Sequence, residues 1–302
     1  MIVYAKLSLG KKIKIRINHL FYSIRHMRLS TIIILSLLTG VALVSLLPIV
    51  YVICNAFKPL EELFIYPPQF FVKNPTMQNF WDFIYATDVS TVPFTRYLFN
   101  SVVVTLVTTA LIILVSLCCA YAFSKLKFPG SSGLFKMITV ALMFSPEAVV
   151  ITRYLIVSGM GIIDTFWAHI LPHLALPMGV FLIKQFMDQV PDSLLEAAQL
   201  EGAGAFRIYW KVILPLTKPA IATGAILAFQ SVWTNVETSN LFTSSEGIRT
   251  LGFYMNTLSG VGTVQGQGMA AAAAMIMFVP NLLLFVVMQS SVMNTMAYSG
   301  MK

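Results

Sequence analysis

An all-α integral membrane fold with six transmembrane helices is the class this sequence predicts, on three observations. Of 302 residues, 57% are hydrophobic and 11% charged, with a mean hydropathy of +0.80. Soluble domains carry charge on about a quarter of their residues, so a water-soluble fold of this length could not cover its surface with so few charges. Apolar windows of the roughly 20 residues that cross a bilayer core recur along the chain, and the basic residues gather in alternate connections between them.

A basic segment, 1–28, precedes the first apolar run, 29–57, which holds no charged residue. That run is too long for a secretory signal and no small-residue cleavage site follows it, so it reads as a retained span. The stretch from Lys58 to Arg96 carries Pro67, Pro68 and Pro75 among aromatic residues. It reads as an ordered surface excursion with short interfacial helices, since Tyr and Trp favour the membrane boundary. The second span covers 97–124. The third, 135–160, is interrupted by Glu147 and Arg153, and Pro146 can kink it by removing a backbone hydrogen bond. Glu147 then reads as a partnered carboxylate at a structural kink or as a gate element.

The fourth span is 165–186, the fifth 220–241 and the sixth 269–293. His169 and His173 stand at i, i+4 but flank Pro172 and lack further ligands, which argues against a metal. On the fifth span Gln230, Trp233, Thr234 and Glu237 fall on one helix face. Polar groups inside a membrane are costly and mark functional candidates. An aromatic plate beside amide and carboxylate groups suits a sugar; packing against a neighbouring helix is the alternative reading. In the sixth span Gly268 and Ala270–Ala274 allow close helix packing. Cys54, Cys118 and Cys119 lie in apolar runs without metal-ligand or CxxC spacing and read as small buried hydrophobes.

Six spans put both termini on one side, and basic residues mark the cytoplasm. Lys6, Lys11, Lys12, Lys14, Arg16, Arg25 and Arg28 precede the first span; Lys125, Lys127 and Lys136 join the second to the third. Lys184, Arg207, Lys211 and Lys218 lie around the fourth-to-fifth connection, and Lys302 ends the chain. Lys58, Lys73, Arg96, Arg153 and Arg249 fall on the other side. Both termini are therefore expected in the cytoplasm, with the basic N-terminus on the anionic inner leaflet or against a partner. Basic residues set between apolar runs, rather than along one helix face, argue against nucleic acid.

The connection 188–218 is long and carries helix punctuation. Ser193 followed by Glu196 has the pattern of a capping box, and Gly202 sits where a left-handed cap would end a short helix. A second short helix, about 205–212, presents Phe206, Tyr209 and Trp210, with Pro215 stopping it and Thr217 placed to cap the fifth span. Small residues at Ala197 and Ala198 suit docking into another protein's groove; an amphipathic connector lying on the membrane is the other reading. The chain has no G-x-x-x-x-G-K-[ST] loop for ATP. Nor does it hold the GxSxG serine or HExxH pair of an intramembrane enzyme.

Glu196-Ala197-Ala198, Gly202 and Leu214-Pro215 resemble the E-A-A loop of binding-protein-dependent ABC importer permeases, with Val212 where Ile is usual. From about Pro59 onward the chain is similar to the carbohydrate-uptake branch, resembling the maltose permease G subunit. Asn100-Ser101, Gly161-Ile162-Ile163-Asp164-Thr165, Ile170-Leu171-Pro172 and the ending Gly300-Met301-Lys302 carry that likeness. Glu201 stands where the branch usually has Asp, and Trp233-Thr234-Asn235 replaces an adjacent Trp-Asn.

The resemblance implies a type I ABC importer permease fold in a prokaryotic cell membrane, 29–302, that moves a sugar, by expectation an oligosaccharide. It implies that Glu196, Ala197, Ala198, Glu201, Gly202, Leu214 and Pro215 couple to a nucleotide-binding subunit. Gln230, Trp233, Thr234, Asn235 and Glu237 are the pathway candidates. The implied partners are a second, homologous permease subunit, two separately encoded ATPase subunits that hold Mg-ATP, and an extracytoplasmic binding protein. No cofactor and no catalytic residue are expected in this chain. An ABC permease for a non-sugar solute shares the E-A-A loop. A secondary transporter, the remaining alternative, predicts inverted repeats with interrupted helices.

Overall fold

A computed structural model describes residues 29–85, 92–259 and 264–299, with helix as the regular structure throughout. The basic segment 1–28 and the ending Gly300-Met301-Lys302 lie outside the described residues. Contacts divide the chain into two compact units, Met1–Cys54 and Asn55–Lys302. The first contributes most of helix α1 (Leu29–Phe57). Its apolar side chains from Leu29 to Leu47 are exposed, as a lipid-facing helix requires, while Cys54 and Ala56 near its end are buried.

The second unit opens with the short helices α2 (Leu60–Leu63) and α3 (Gln78–Ile84). Glu62 organises this stretch: its carboxylate accepts the Lys73 and Asn74 amides at 3.0 and 2.8 Å. The Lys73 amide bond, above all, holds its pKa below the usual carboxylate value. Buried Lys58 donates to Asn55 Oδ1 at 2.8 Å and to the Gln69 carbonyl. Asn79 donates to the carbonyls of Ala56 and Lys58, and its Oδ1 leaves no room for a Cβ at Gly268.

Helix α4 (Phe94–Lys125) is the second span, 32 residues without a glycine or proline. Buried polar groups line it at Asn100, Ser101, Thr105, Thr108 and Ser116. It packs on α8 (Pro177–Asp188) and α12 (Lys218–Trp233), and α12 packs on α15 (Val264–Ser299). Ala272 and Ala273 are fully buried, so the alanine run does allow the close approach expected of it.

Three expected spans are interrupted. The third is α5 (Ser131–Ala141), a 3-10 turn (Pro146–Val149) and α6 (Val150–Gly159), bent by 107°. Pro146 drives its predecessor out of helical geometry, and Ser145 is extended at ψ 136°. The fourth is bent by 43° between α7 (Phe166–Ile170) with its 3-10 extension to His173, and α8. Pro172 and Pro177 flank that bend. The fifth does not run to 241. Helix α12 ends at Trp233 and α13 (Glu237–Phe242) starts afresh, held by Asn235 Oδ1, which accepts the Thr238 amide at 3.0 Å and its hydroxyl at 2.8 Å.

The cysteine reading needs correction too. Cys54 is buried, Cys119 is partly so, and Cys118 is exposed, because in a membrane helix an outward-facing small apolar residue needs no burial in protein. Beyond α13, a 3-10 turn (Glu246–Ile248) leads to α14 (Leu251–Ser259).

Candidate functional site

The connection 188–218 folds into α9 (Asp192–Leu200) and a return limb, 205–216, made of α10 (Ala205–Ile208), a π turn and α11 (Leu214–Leu216). No capping box forms. Pro191 occupies the N-cap position with extended geometry, φ −61° and ψ 136°, so the helix starts two residues earlier than Ser193 would set it. Asp192 in the first turn suits the helix dipole, and Lys125, from the end of α4, binds it at 2.8 Å. The same ammonium donates to the Val190 carbonyl at 2.7 Å. The hydrogen bond and charge of Lys125 hold the Asp192 pKa below its usual value.

At the other end Gly202 has φ 80°. Its amide donates to the Gln199 carbonyl, and the Ala203 amide reaches back to Ala198, both at 2.9 Å. This is the paired-bond helix stop that needs a left-handed residue. The expected cap is therefore in place.

Leu195 and Ala198 face inward onto a core of Ala120, Ile183, Met187, Ile208, Ile213 and Ala220. Glu196, Ala197, Glu201 and Gly202 face outward, beside a Leu200 that is 90% exposed. On the return limb Phe206 and Trp210 are also exposed, while Tyr209 meets Tyr121 of α4 edge-on at 5.0 Å. Pro215 does not stop this limb. A π turn at Tyr209–Ile213 precedes it, and the wider turn accommodates a residue that lacks an N–H. Thr217 does not cap the fifth span either: its hydroxyl donates backwards to Ile213 and Leu214. Leu214 packs on the core, and Pro215 lines a groove of about 550 Å³ with Phe186, Leu194 and Lys218.

The pathway candidates separate. Because α12 stops at Trp233, the single face drawn through Gln230, Trp233, Thr234 and Glu237 does not exist. Trp233 is buried in the core with Tyr97 and Tyr254, stacks on Phe229 at 5.7 Å, and donates to the Met277 carbonyl at 3.0 Å. Gln230 and Thr234 are exposed.

Asn235 and Glu237 do meet at a cavity of about 630 Å³, with Ser231, Arg153, His173, Ser145 and Pro146. Its volume lies within the range of small-molecule sites. Arg153 pairs with Glu237 at 2.8 Å across the cavity wall, both side chains about one quarter exposed. Glu147, exposed in its 3-10 turn, takes its hydrogen bond from neighbouring Ser145, so it is partnered locally. His169 is buried between Thr238 Oγ1 at 2.8 Å and the Ile248 carbonyl at 3.1 Å.

Three elements escaped the sequence reading. Arg153 and His173 join the cavity only because the third and fourth spans are bent. Asp164, at φ 61°, binds the amides of Ser244 and Ser245 and the Ser245 hydroxyl. Those bonds, the hydroxyl's first, lower its pKa. A signal for Asp164 lay in the motif Gly161–Thr165; the Lys125–Asp192 tie had none at that sequence distance.

The family described as binding-protein-dependent transport system inner membrane component matches residues 34–292. Protein LplC of Bacillus subtilis is 31% identical over 65% of this chain and 64% of its own length, so the chain spans under two thirds of that relative. The sulfoquinovosyl glycerol transport system permease protein SmoH of Agrobacterium fabrum is 28% identical over 85% of this chain and 89% of its own. Among solved structures, a bacterial ABC transporter involved in import of the acidic polysaccharide alginate aligns with a TM-score of 0.72 at 20% identity, covering 87% of this chain and 96% of that one. At that identity the likeness carries the fold.

Proposed function

The chain belongs to the family of binding-protein-dependent transport system inner membrane components, and from that premise we propose that it is the permease subunit of an ATP-driven importer that translocates a sugar. It is a multi-pass protein of a prokaryotic cell membrane. The observation that carries the coupling role is α9 itself: its inner face is locked onto the core while its outer face, with an exposed Leu200, is left for a partner. A connector lying passively on a membrane needs no Lys125 tie and no left-handed stop.

In this reading Glu196, Ala197, Glu201 and Gly202 form the docking surface for a nucleotide-binding subunit, with Ala198 seating the helix on the core and Leu214 and Pro215 fixing its return. The 29–302 region is the permease domain, with 188–218 as its coupling loop. Both termini lie in the cytoplasm, on the charge asymmetry. The assembly comprises this chain, a homologous second permease, two ATPase subunits binding Mg-ATP and an extracytoplasmic binding protein. Sugar as cargo is supported by SmoH, whose name places it in sulfoquinovosyl glycerol transport. It is supported too by a cavity that sets the neutral hydrogen-bonding groups Ser231 and Asn235 beside apolar proline and leucine surfaces.

The site test is a cysteine at Ala197. In the assembled complex it should cross-link to the ATPase subunit, with a yield that changes on ATP binding. No cross-link at Ala197 or Leu200 would refute docking through α9.

A further inference from the structure

Helix α4 is tied to a loop at each of its ends by polar contacts from side chains that are themselves buried, Lys125 at one end and Asn100 at the other. We propose that it is the stiff rod through which movement of the α9 loop reaches the loop 243–250, with Lys125 and Asn100 as the positioning residues at its two ends. The inference rests on the importer reading above.

Stiffness comes from sequence. The long helices α1 and α15 contain Pro48 and Pro280, and the remaining spans are broken outright. Helix α4 has no glycine or proline in 32 residues, so the usual sites of bending are missing. At 1.5 Å per residue it is about 48 Å long, enough to cross the bilayer and emerge on both sides.

The inner tie is Lys125. Its side chain is 4% exposed, and its ammonium holds both the Val190 carbonyl and Asp192, the residues on either side of the Pro191 that starts α9. Tyr121, one turn earlier, meets Tyr209 on the return limb. Both limbs of the loop thus rest on the last turn and a half of α4.

The outer tie is Asn100, fully buried, whose amide donates to the carbonyls of Gly247 and Arg249, each at 2.9 Å. Arg96 adds a bond to Gly247 at 2.9 Å, and Ser101 accepts the Leu251 amide at 2.7 Å. The loop held there also binds Asp164 through Ser244 and Ser245, and His169 through Ile248. It directly follows α13, whose Glu237 pairs with Arg153 at the cavity. A displacement of α4 along its axis would therefore pull this loop by polar bonds with fixed directions, where apolar packing alone could slide.

The test uses the complete complex with its ATPase subunits and binding protein. Lys125→Met and Asn100→Ala should each lower binding-protein-stimulated ATP hydrolysis and uptake by about tenfold, with complex yield and basal hydrolysis retained. Lys125→Arg, which keeps charge and reach, should recover most of the stimulated rate. The double variant should be no worse than the worse single one, because both cut the same connection. Losses that multiply to about a hundredfold, losses that follow complex yield, or unaltered stimulation in either single variant overturn the rod. Gly202→Asp run beside them separates the two failures. If it lowers stimulation while the α4 variants do not, the rod alone has failed; if it too leaves stimulation intact, the importer reading has failed.

Discussion

Replacing Gly202 separates the stability of the loop from its use. The residue has φ 80°, and a Cβ built there meets no atom within 4 Å. Sterics with the rest of the chain therefore cost nothing, and what remains is the local penalty for an L-residue in left-handed geometry, about 1–2 kcal/mol. For a domain of this size that lowers Tm by about 2–8 °C. Gly202→Ala should show that shift and little else. Gly202→Asp pays no larger conformational cost, since Asp tolerates this region better than Ala. It adds a negative charge beside exposed Glu201 on the surface assigned to docking. The expected result is a thermal shift no greater than alanine's, together with a fall of at least about tenfold in binding-protein-stimulated ATP hydrolysis. Thermal unfolding of the purified complex and ATPase assays on the same preparation read both quantities. Equal activity loss in the two variants, or loss in proportion to unfolded complex, would refute the reasoning.

The remaining predictions concern the rest of the molecule. Trp233→Ala should destabilise by about 3–5 kcal/mol through lost core volume, and Trp233→Phe should cost less while removing the indole donor to the Met277 carbonyl, which keeps the Asn281 amide at 3.3 Å; thermal melts in detergent decide. Arg153→Met and Glu237→Gln, combined in a double-mutant cycle, should show a coupling of about 1 kcal/mol, as expected for a pair that is partly screened. Gly268→Ala should lower stability, because its methyl meets Asn79 Oδ1 and Leu63 Cδ1, and Asn79→Ala in the same chain should relieve part of the loss. Asp164 has a lowered pKa, so the stability it contributes is full above its ordinary value of 3.8 and is lost as pH falls through the depressed folded value. The protection of the Ser244 and Ser245 amides from exchange, relative to the intrinsic rate at each pH, should fall on acidification in that range, and Asp164→Asn should remove that fall.

What the sequence disclosed depended on how local the cause was. Uncharged runs are read directly from composition, and both α1 and α4 lie within a few residues of their expected limits. Gly202 was legible because a left-handed stop is set by one residue. The capping box failed because Pro191, two residues upstream, fixed the helix start by its own φ before Ser193 could compete. The third and fifth spans failed for a related reason: hydropathy continues across a break whose cause is a single Pro146 or a side chain such as Asn235 that binds its own downstream backbone. The pathway face inherited that error. A helical wheel drawn through Trp233 and Glu237 assumes that the helix persists between them, and it does not. Arg153 with Glu237, and Lys125 with Asp192, are separated by 84 and 67 residues, so no window of local sequence could pair them. Glycine's requirement at Gly268 likewise depends on Asn79, which only the fold brings there.

ATP hydrolysis by the purified complex, reconstituted in lipid vesicles with its binding protein and a panel of saccharides, tests the central claim most directly. The account predicts that one saccharide class, delivered by the binding protein, stimulates hydrolysis severalfold and accumulates in vesicles only when ATP is supplied on the side of α9. Uptake that proceeds without ATP on an ion gradient, or stimulation confined to amino acids, peptides or metal ions, would contradict it.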